Sequence, residues 1–159
     1  MNHQATDPPE LLINDPHGSN RTLVLAHGAG AAMDTEFMET LANGLANRGL
    51  RVIRFEFSYM ATRRMTGKRR PPDREPILWD TWYRVLDSLN ADRVVIGGKS
   101  MGGRIASLIA DEVEVAGLVC LGYPFHPVSK PEKLRIAHLK RIETPTLIVQ
   151  GERDKMGSK

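Results

Sequence analysis

The chain has 159 residues, 41% of them hydrophobic and 26% charged, with a formal net charge of +3. That is enough polypeptide for one packed core, in the composition of an ordinary globule rather than a disordered, fibrous or membrane-spanning chain. A net charge this small gives no reason to expect a nucleic-acid partner.

The single Cys120 excludes an intramolecular disulfide and fits a reducing compartment. Residues Met1 to Glu10 are polar and contain prolines, with no apolar signal core. No apolar run approaches the ~20 residues of a membrane helix. A cytoplasmic protein, free of membranes, is expected.

Residues 1–20 are expected to be loosely ordered, with Leu11-Leu12-Ile13 as a short edge strand closed by Asn14-Asp15-Pro16. Residues 21–159 then read as a single domain. Thr22-Leu23-Val24-Leu25-Ala26 is a continuous apolar run, the mark of a strand buried on both faces. The loop His27-Gly28-Ala29-Gly30-Ala31-Ala32 follows it. Asp34 suits a helix N-cap and Glu36 a first turn. Phe37, Leu41 and Leu45 form one helical stripe, which Gly49 ends. Arg51 to Phe55 is the next strand.

Tyr59 to Glu75 reads as a long solvated loop carrying Arg63, Arg64, Lys68, Arg69, Arg70 and Arg74. Pro76 opens a helix whose buried face is Leu78, Trp82, Val85, Leu86 and Leu89. Arg93 to Gly97 is a strand, and Met101, Ile105, Leu108 and Ile109 mark a helix after it. Gly117 to Leu121 is another strand. Tyr123 to Thr144 is irregular, with one helical turn expected around Leu134 to Leu139. Thr146 to Gln150 is the last strand, and Gly151-Glu152-Arg153-Asp154 leaves its end. Strands alternating with amphipathic helices predict an α/β fold, a mostly parallel sheet with helices on both faces. Function gathers at the carboxyl ends of such strands. The His27 loop, Ser100, the Tyr123 segment and Asp154 should therefore share one rim.

The informative motif is Gly98-Lys99-Ser100-Met101-Gly102, a G-x-S-x-G at a strand-to-helix junction, which is the pattern of a nucleophile elbow. A strand turning straight into a helix crowds the residues two before and two after the bend, where only very small side chains fit. The bend lifts the serine hydroxyl above the sheet. The N–H groups of Ala29 and Met101 are then candidates to hold an oxyanion. The rival readings fail on spacing. A phosphate-binding P-loop needs glycine at position 93, where Arg93 stands, and a loop before the lysine. A dinucleotide loop over Gly28 to Met33 has Met33 where a third small residue belongs, although Glu56 mimics its acid.

Asp154, beyond a late strand, suits the acid that orients a catalytic histidine. Cys120, mid-strand, reads as core. His27 reads as shaping its loop by hydrogen bonding rather than as a base. No cofactor is expected, and no metal, because the histidines and carboxylates lack ligand spacing.

Together, Leu25-Ala26-His27-Gly28-Ala29-Gly30, Gly98 to Gly103, Gly122-Tyr123-Pro124-Phe125-His126-Pro127 and Gly151-Glu152-Arg153-Asp154 resemble the alpha/beta-hydrolase superfamily. The likeness is to its dienelactone-hydrolase-like branch, in particular small hydrolases related to the testis-expressed alpha/beta-hydrolase-like proteins. It runs from about Thr22 to Asp154. The resemblance implies Ser100 as nucleophile, Asp154 as triad acid, and Ala29 and Met101 as oxyanion donors, acting on a small ester or similar acyl substrate. In the family one more helix and strand follow, with the catalytic histidine after them. The present sequence stops at Lys159, so that histidine is expected to be absent. Of His3, His17, His27, His126 and His138, only His126 follows a rim strand downstream of Ser100 and stands as a substitute base. The alternative is a catalytically silent hydrolase fold that serves as a binding module. The last strand, lacking a neighbour, is expected to offer an open edge to a second copy.

Overall fold

A computed structural model describes residues 9–16, 18–89 and 93–157. Its framework is one six-stranded sheet in the order β1-β3-β2-β4-β5-β6. The strands are β1 (Leu11–Asn14), β2 (Thr22–Ala26), β3 (Arg51–Phe55), β4 (Val94–Lys99), β5 (Gly117–Leu121) and β6 (Thr146–Val149). Only the β1–β3 pair is antiparallel; the other four pairs are parallel. The predicted α/β class and mostly parallel sheet are what is found. Residues 1–8 and 17, including His3 and His17, lie outside the described residues, as do the last two.

Every residue of β2 is buried, as expected for a central parallel strand covered on both faces. Alternation along the strands splits the core in two. Leu23, Leu25 and Val52 meet Met38 and Ala42 of α1 (Glu36–Ala46) on one face. Val24, Ala26, Ile53, Phe55, Ile96, Leu118 and Cys120 belong to a larger cluster on the other. That cluster also holds Leu78, Trp82 and Val85 of α3 (Glu75–Ser88) and Ile105, Ala106 and Ile109 of α4 (Met101–Ile109). The side chain of Trp82 is fully buried and meets Phe55 edge to face at 4.7 Å. Burial of one such side chain contributes about 1.5–3 kcal/mol. Pro76 sits in the first turn of α3, as its fixed φ favours.

Five details depart from expectation. The segment read as loop from Tyr59 begins with a helix, α2 (Ser58–Thr66), closed by Gly67 at φ 68°. Its apolar anchor is short, only Tyr59 and Met60 being buried, so the charged residues that follow hid the helix. Asp34 caps nothing: Thr35 is the N-cap of α1, and the Asp34 carboxylate is taken by Arg64 Nη1 at 2.9 Å. β4 continues through Gly98 and Lys99, because their backbones still pair with Cys120 and Leu121. β6 ends at Val149, one residue early. Residues 134–139 form no helix; Arg135 is held instead by its N–H on Phe125 O at 2.8 Å and its carbonyl under the Tyr123 hydroxyl at 2.8 Å.

Glycine is required where β4 meets α4. A Cβ on Gly102 would lie 2.5 Å from His27 O and 2.8 Å from the Ala26 carbonyl carbon, and one on Gly98 would collide with Ala26 O. These obstacles are backbone atoms of the central strand and cannot swing away. Gly102→Ala should therefore destabilise the fold by about 3 kcal/mol, the upper end of overpacking costs, measured by urea unfolding.

Candidate active site

Register, before any side chain, gathers the site. Ala26 pairs with Gly98, Lys99 with Leu121, and Leu121 with Val149. The carboxyl ends of β2, β4, β5 and β6 are thus level, and the residues that follow them, His27, Ser100, Gly122 and Gln150, emerge on one rim.

Ser100 occupies the corner between β4 and α4 at φ 51°, ψ −118°. That is a strained backbone for a residue with a side chain. An ordinary serine N-cap has an extended backbone and its hydroxyl bonds back to the helix. Ser100 does neither: its hydroxyl makes no cap bond. Its N–H donates to Leu121 O at 2.8 Å, which ties the corner to β5. The hydroxyl is left for something outside the helix. Met101, the first residue of α4, has an N–H that the helix cannot satisfy.

The loop after β2 comes up beside this corner. A Cβ on Gly28 would sit 3.8 Å from Ser100 Cβ. The N–H of the next residue, Ala29, has no hydrogen bond among the described residues. His27, fully buried, is saturated. One ring nitrogen faces Gly28 O at 2.7 Å, which only accepts, and the other receives the Phe57 N–H at 3.1 Å. The ring is therefore neutral with its proton on Nδ1. Burial holds its pKa below the usual value. This is a loop-shaping histidine, as the sequence suggested, and its two nitrogens are both engaged.

Asp154 lies on the same rim. Its carboxylate accepts the Gln150 Nε2–H at 2.9 Å and the Met156 N–H at 2.9 Å. A Cβ on Gly122, one residue beyond the carbonyl that holds Ser100, would be 3.4 Å from Asp154 Oδ2. Gln150 also accepts the Tyr123 N–H at 2.8 Å, so it fastens the Asp154 turn to the segment after β5. Sequence reasoning missed Gln150, since a lone glutamine at a strand end carries no spacing signal.

His126 is nearby but differently engaged. Its N–H donates to Met156 O at 3.3 Å, and its ring Nδ1 faces Pro127 O at 3.0 Å. No hydrogen bond joins its ring to Ser100 or Asp154 among the described residues. His138 lies apart, with Nε2 2.8 Å from Ser107 Oγ. The Ser107 proton goes to Arg104 O at 2.6 Å, so His138 is the donor. Burial lowers its pKa too.

Glu56, the apparent dinucleotide acid, is 6% exposed and gripped by Arg64 through Nε at 3.1 Å and Nη2 at 2.6 Å. It has no open face for a ribose. Arg64 in turn draws the Asp34 carboxyl below its usual range. Cys120 is buried, and its thiol is pushed up to about 12. Among the described residues no group of three His, Cys, Asp or Glu side chains is placed to hold a metal.

A profile of the alpha/beta hydrolase domain family matches residues 19–159. The chain belongs to the alpha/beta hydrolases. A rat relative, a putative protein-lysine deacylase, ABHD14B, is 37% identical over 76 residues, covering 46% of this chain and 34% of that protein. The match thus spans about a third of the curated relative's length. Among solved structures, the lidless serine hydrolase XC6422 of Xanthomonas campestris superposes with a TM-score of 0.72 at 17% identity, over 93% of this chain and 67% of that one. The dienelactone hydrolase of Anabaena variabilis gives 0.68 at 21%, over 89% and 66%. Likeness at these identities shows the shared fold. No described helix of this alpha/beta hydrolase is long and apolar enough to cross a membrane.

The two histidines with lowered pKa fix the sign of a pH effect. Below pH 6.5 the unfolded chain takes up protons that the folded rings refuse. Stability should be level above that point and fall as pH drops below it, by up to about 1.4 kcal/mol per unit for the buried His27 ring and by less for the half-buried His138 ring. Urea unfolding between pH 5 and 7.5 reads the slope, which His138→Gln should reduce but not abolish.

Proposed function

We propose that this chain is built for serine-hydrolase chemistry on an ester or similar acyl substrate. The observation that carries the reading is the backbone of Ser100, φ 51° and ψ −118°, with a hydroxyl that caps no helix. Strain of about 1–3 kcal/mol survives only where surrounding structure imposes it, and such strain clusters at working sites.

In this reading Ser100 Oγ attacks the acyl carbon and gives its proton to a base. The carbonyl oxygen becomes an oxyanion between the N–H groups of Ala29 and Met101. Collapse expels the alcohol or amine and leaves an acyl-Ser100 ester, which water then cleaves. Asp154 is the acid that would orient a triad histidine; the His126 ring is held by Pro127 O instead. Among the described histidines, His27 has both nitrogens engaged and His138 is bonded to Ser107. His126 keeps Nε2 for a proton, since Nδ1–H is spent on Pro127 O. Among the described residues it is the candidate for a substitute base. The rat relative's printed name, a lysine deacylase, supports an acyl group as the unit transferred. A second copy is proposed along β6, where Leu147 and Val149 are 57% and 52% exposed. Sedimentation should show a dimer that Leu147→Lys dissociates.

A fluorophosphonate probe should label Ser100, with no labelling after Ser100→Ala. Turnover of p-nitrophenyl acetate should fall by a hundred-fold or more in His126→Ala if that ring is the base, the usual scale for a lost general base. Wild-type protein that folds yet neither labels nor turns over would instead be a silent hydrolase fold used for binding.

A further inference from the structure

Three successive carbonyls of the loop after β2 are each held by a different side chain. His27 Nδ1–H donates to Gly28 O at 2.7 Å, the Tyr59 hydroxyl to Ala29 O at 2.9 Å, and Arg63 Nη1 to Gly30 O at 3.1 Å. The three donors form one unit. Tyr59 and Arg63 stand one turn apart on α2, and Phe57, the N-cap of that helix, donates its N–H to the His27 ring. The far end of the loop is gripped as well: Arg54 Nη1 donates to Met33 O at 2.9 Å, and the Met33 N–H reaches Glu56 at 3.4 Å.

Surface loops ordinarily leave their carbonyls to water. Here a tyrosine only 1% exposed and an arginine are committed to two of them. A trans peptide carries its C=O and N–H on opposite sides. Anchoring Gly28 O therefore aims the N–H of Ala29, and anchoring Ala29 O and Gly30 O fixes the two peptides that follow, so that residue 29 is held from both sides. Donors that are already aimed need no reorganisation as charge develops, and this is where electrostatic catalysis gets most of its advantage.

We propose that α2 is the clamp that preorganises the oxyanion loop, with Tyr59 and Arg63 as positioning residues acting through the carbonyls of Ala29 and Gly30. The proposal rests on the serine-hydrolase reading. The chemistry of the donors suits the task. Burial pushes the Tyr59 phenol far above its usual pKa, so it keeps its proton. A guanidinium is always charged. Arg64, the neighbour, absorbs Glu56 and Asp34, the Asp73 carboxylate accepts the Tyr59 N–H, and Arg63 bonds the backbone. The basic run that sequence alone reads as solvated surface thus begins with two arginines that have separate structural tasks.

Tyr59→Phe removes one hydroxyl and keeps the ring stacked on Phe57. It should slow Ser100 labelling and kcat for p-nitrophenyl acetate about ten-fold, the weight of one hydrogen bond, with KM within about two-fold. Amide hydrogen exchange at residues 28–31 should quicken about ten-fold. Arg63→Met should behave alike, and Arg63→Lys, which keeps a donor, should recover most of the loss. A lowered thermal midpoint with unchanged kcat and unchanged exchange would overturn the proposal. If the wild type does not react with the probe, the hydrolase reading fails separately. Exchange at residues 28–31 then decides the clamp: acceleration in both variants upholds it, and no change rejects it.

Discussion

The molecule depends on one crowded corner. β4 passes into α4 with no connecting residues except Ser100, so the first turn of the helix presses on the carbonyl ends of β2 and β4. That contact forbids a side chain at Gly98 and Gly102 and drives Ser100 to positive φ. The strain persists because α4 is anchored along its whole length by Ile105, Ala106 and Ile109, and because the Ser100 N–H is tied to β5. A longer connection would relax the serine and lose the orientation of its hydroxyl. Local distortion is here maintained by the packing of a helix whose buried residues lie one to two turns away.

The rest of the rim follows from parallel pairing. Strands in register bring their ends level, so residues 27, 100, 122 and 150 meet though they lie far apart in sequence. The loops are then fixed by side chains that reach across from neighbouring segments. Gln150 ties the Asp154 turn to Tyr123, and α2 ties the 28–30 loop to its own first turns. Buried polar groups are handled in the same economical way. Glu56 sits deep but is met by two nitrogens of Arg64 and by the Met33 N–H, which supply the partners that a buried carboxyl group needs.

Much of this was legible in the sequence, for identifiable reasons. Central parallel strands are continuous apolar runs, so β2, β3 and β5 could be bounded to the residue. Ser100 announced itself because the residues two before and two after it must be glycine. Other parts were not legible. α2 buries little beyond Tyr59 and Met60, and its arginines outweighed a weak apolar signal. Asp34 looked like a cap because local pattern cannot show that Arg64, thirty residues on, competes for it. Tyr59, Arg63 and Gln150 act on the backbone or carboxylate of distant residues, and long-range contacts of that kind leave no spacing behind. The strand β4 was cut short at Gly97 because glycine reads as a turn, although its backbone goes on pairing.

Cys120 has a consequence of its own. It is the only thiol in the chain, it lies in β5 with β4 and β6 on either side, and its Sγ is packed against Gly103 O at 3.5 Å. With solvent excluded and the thiolate disfavoured, it is inert while the sheet is closed. Alkylation can proceed only in molecules whose α4 has lifted from the sheet face. The rate at which this sulfur is modified is therefore a clock for rare openings between α4 and the sheet, supplied by the native sequence without any introduced label.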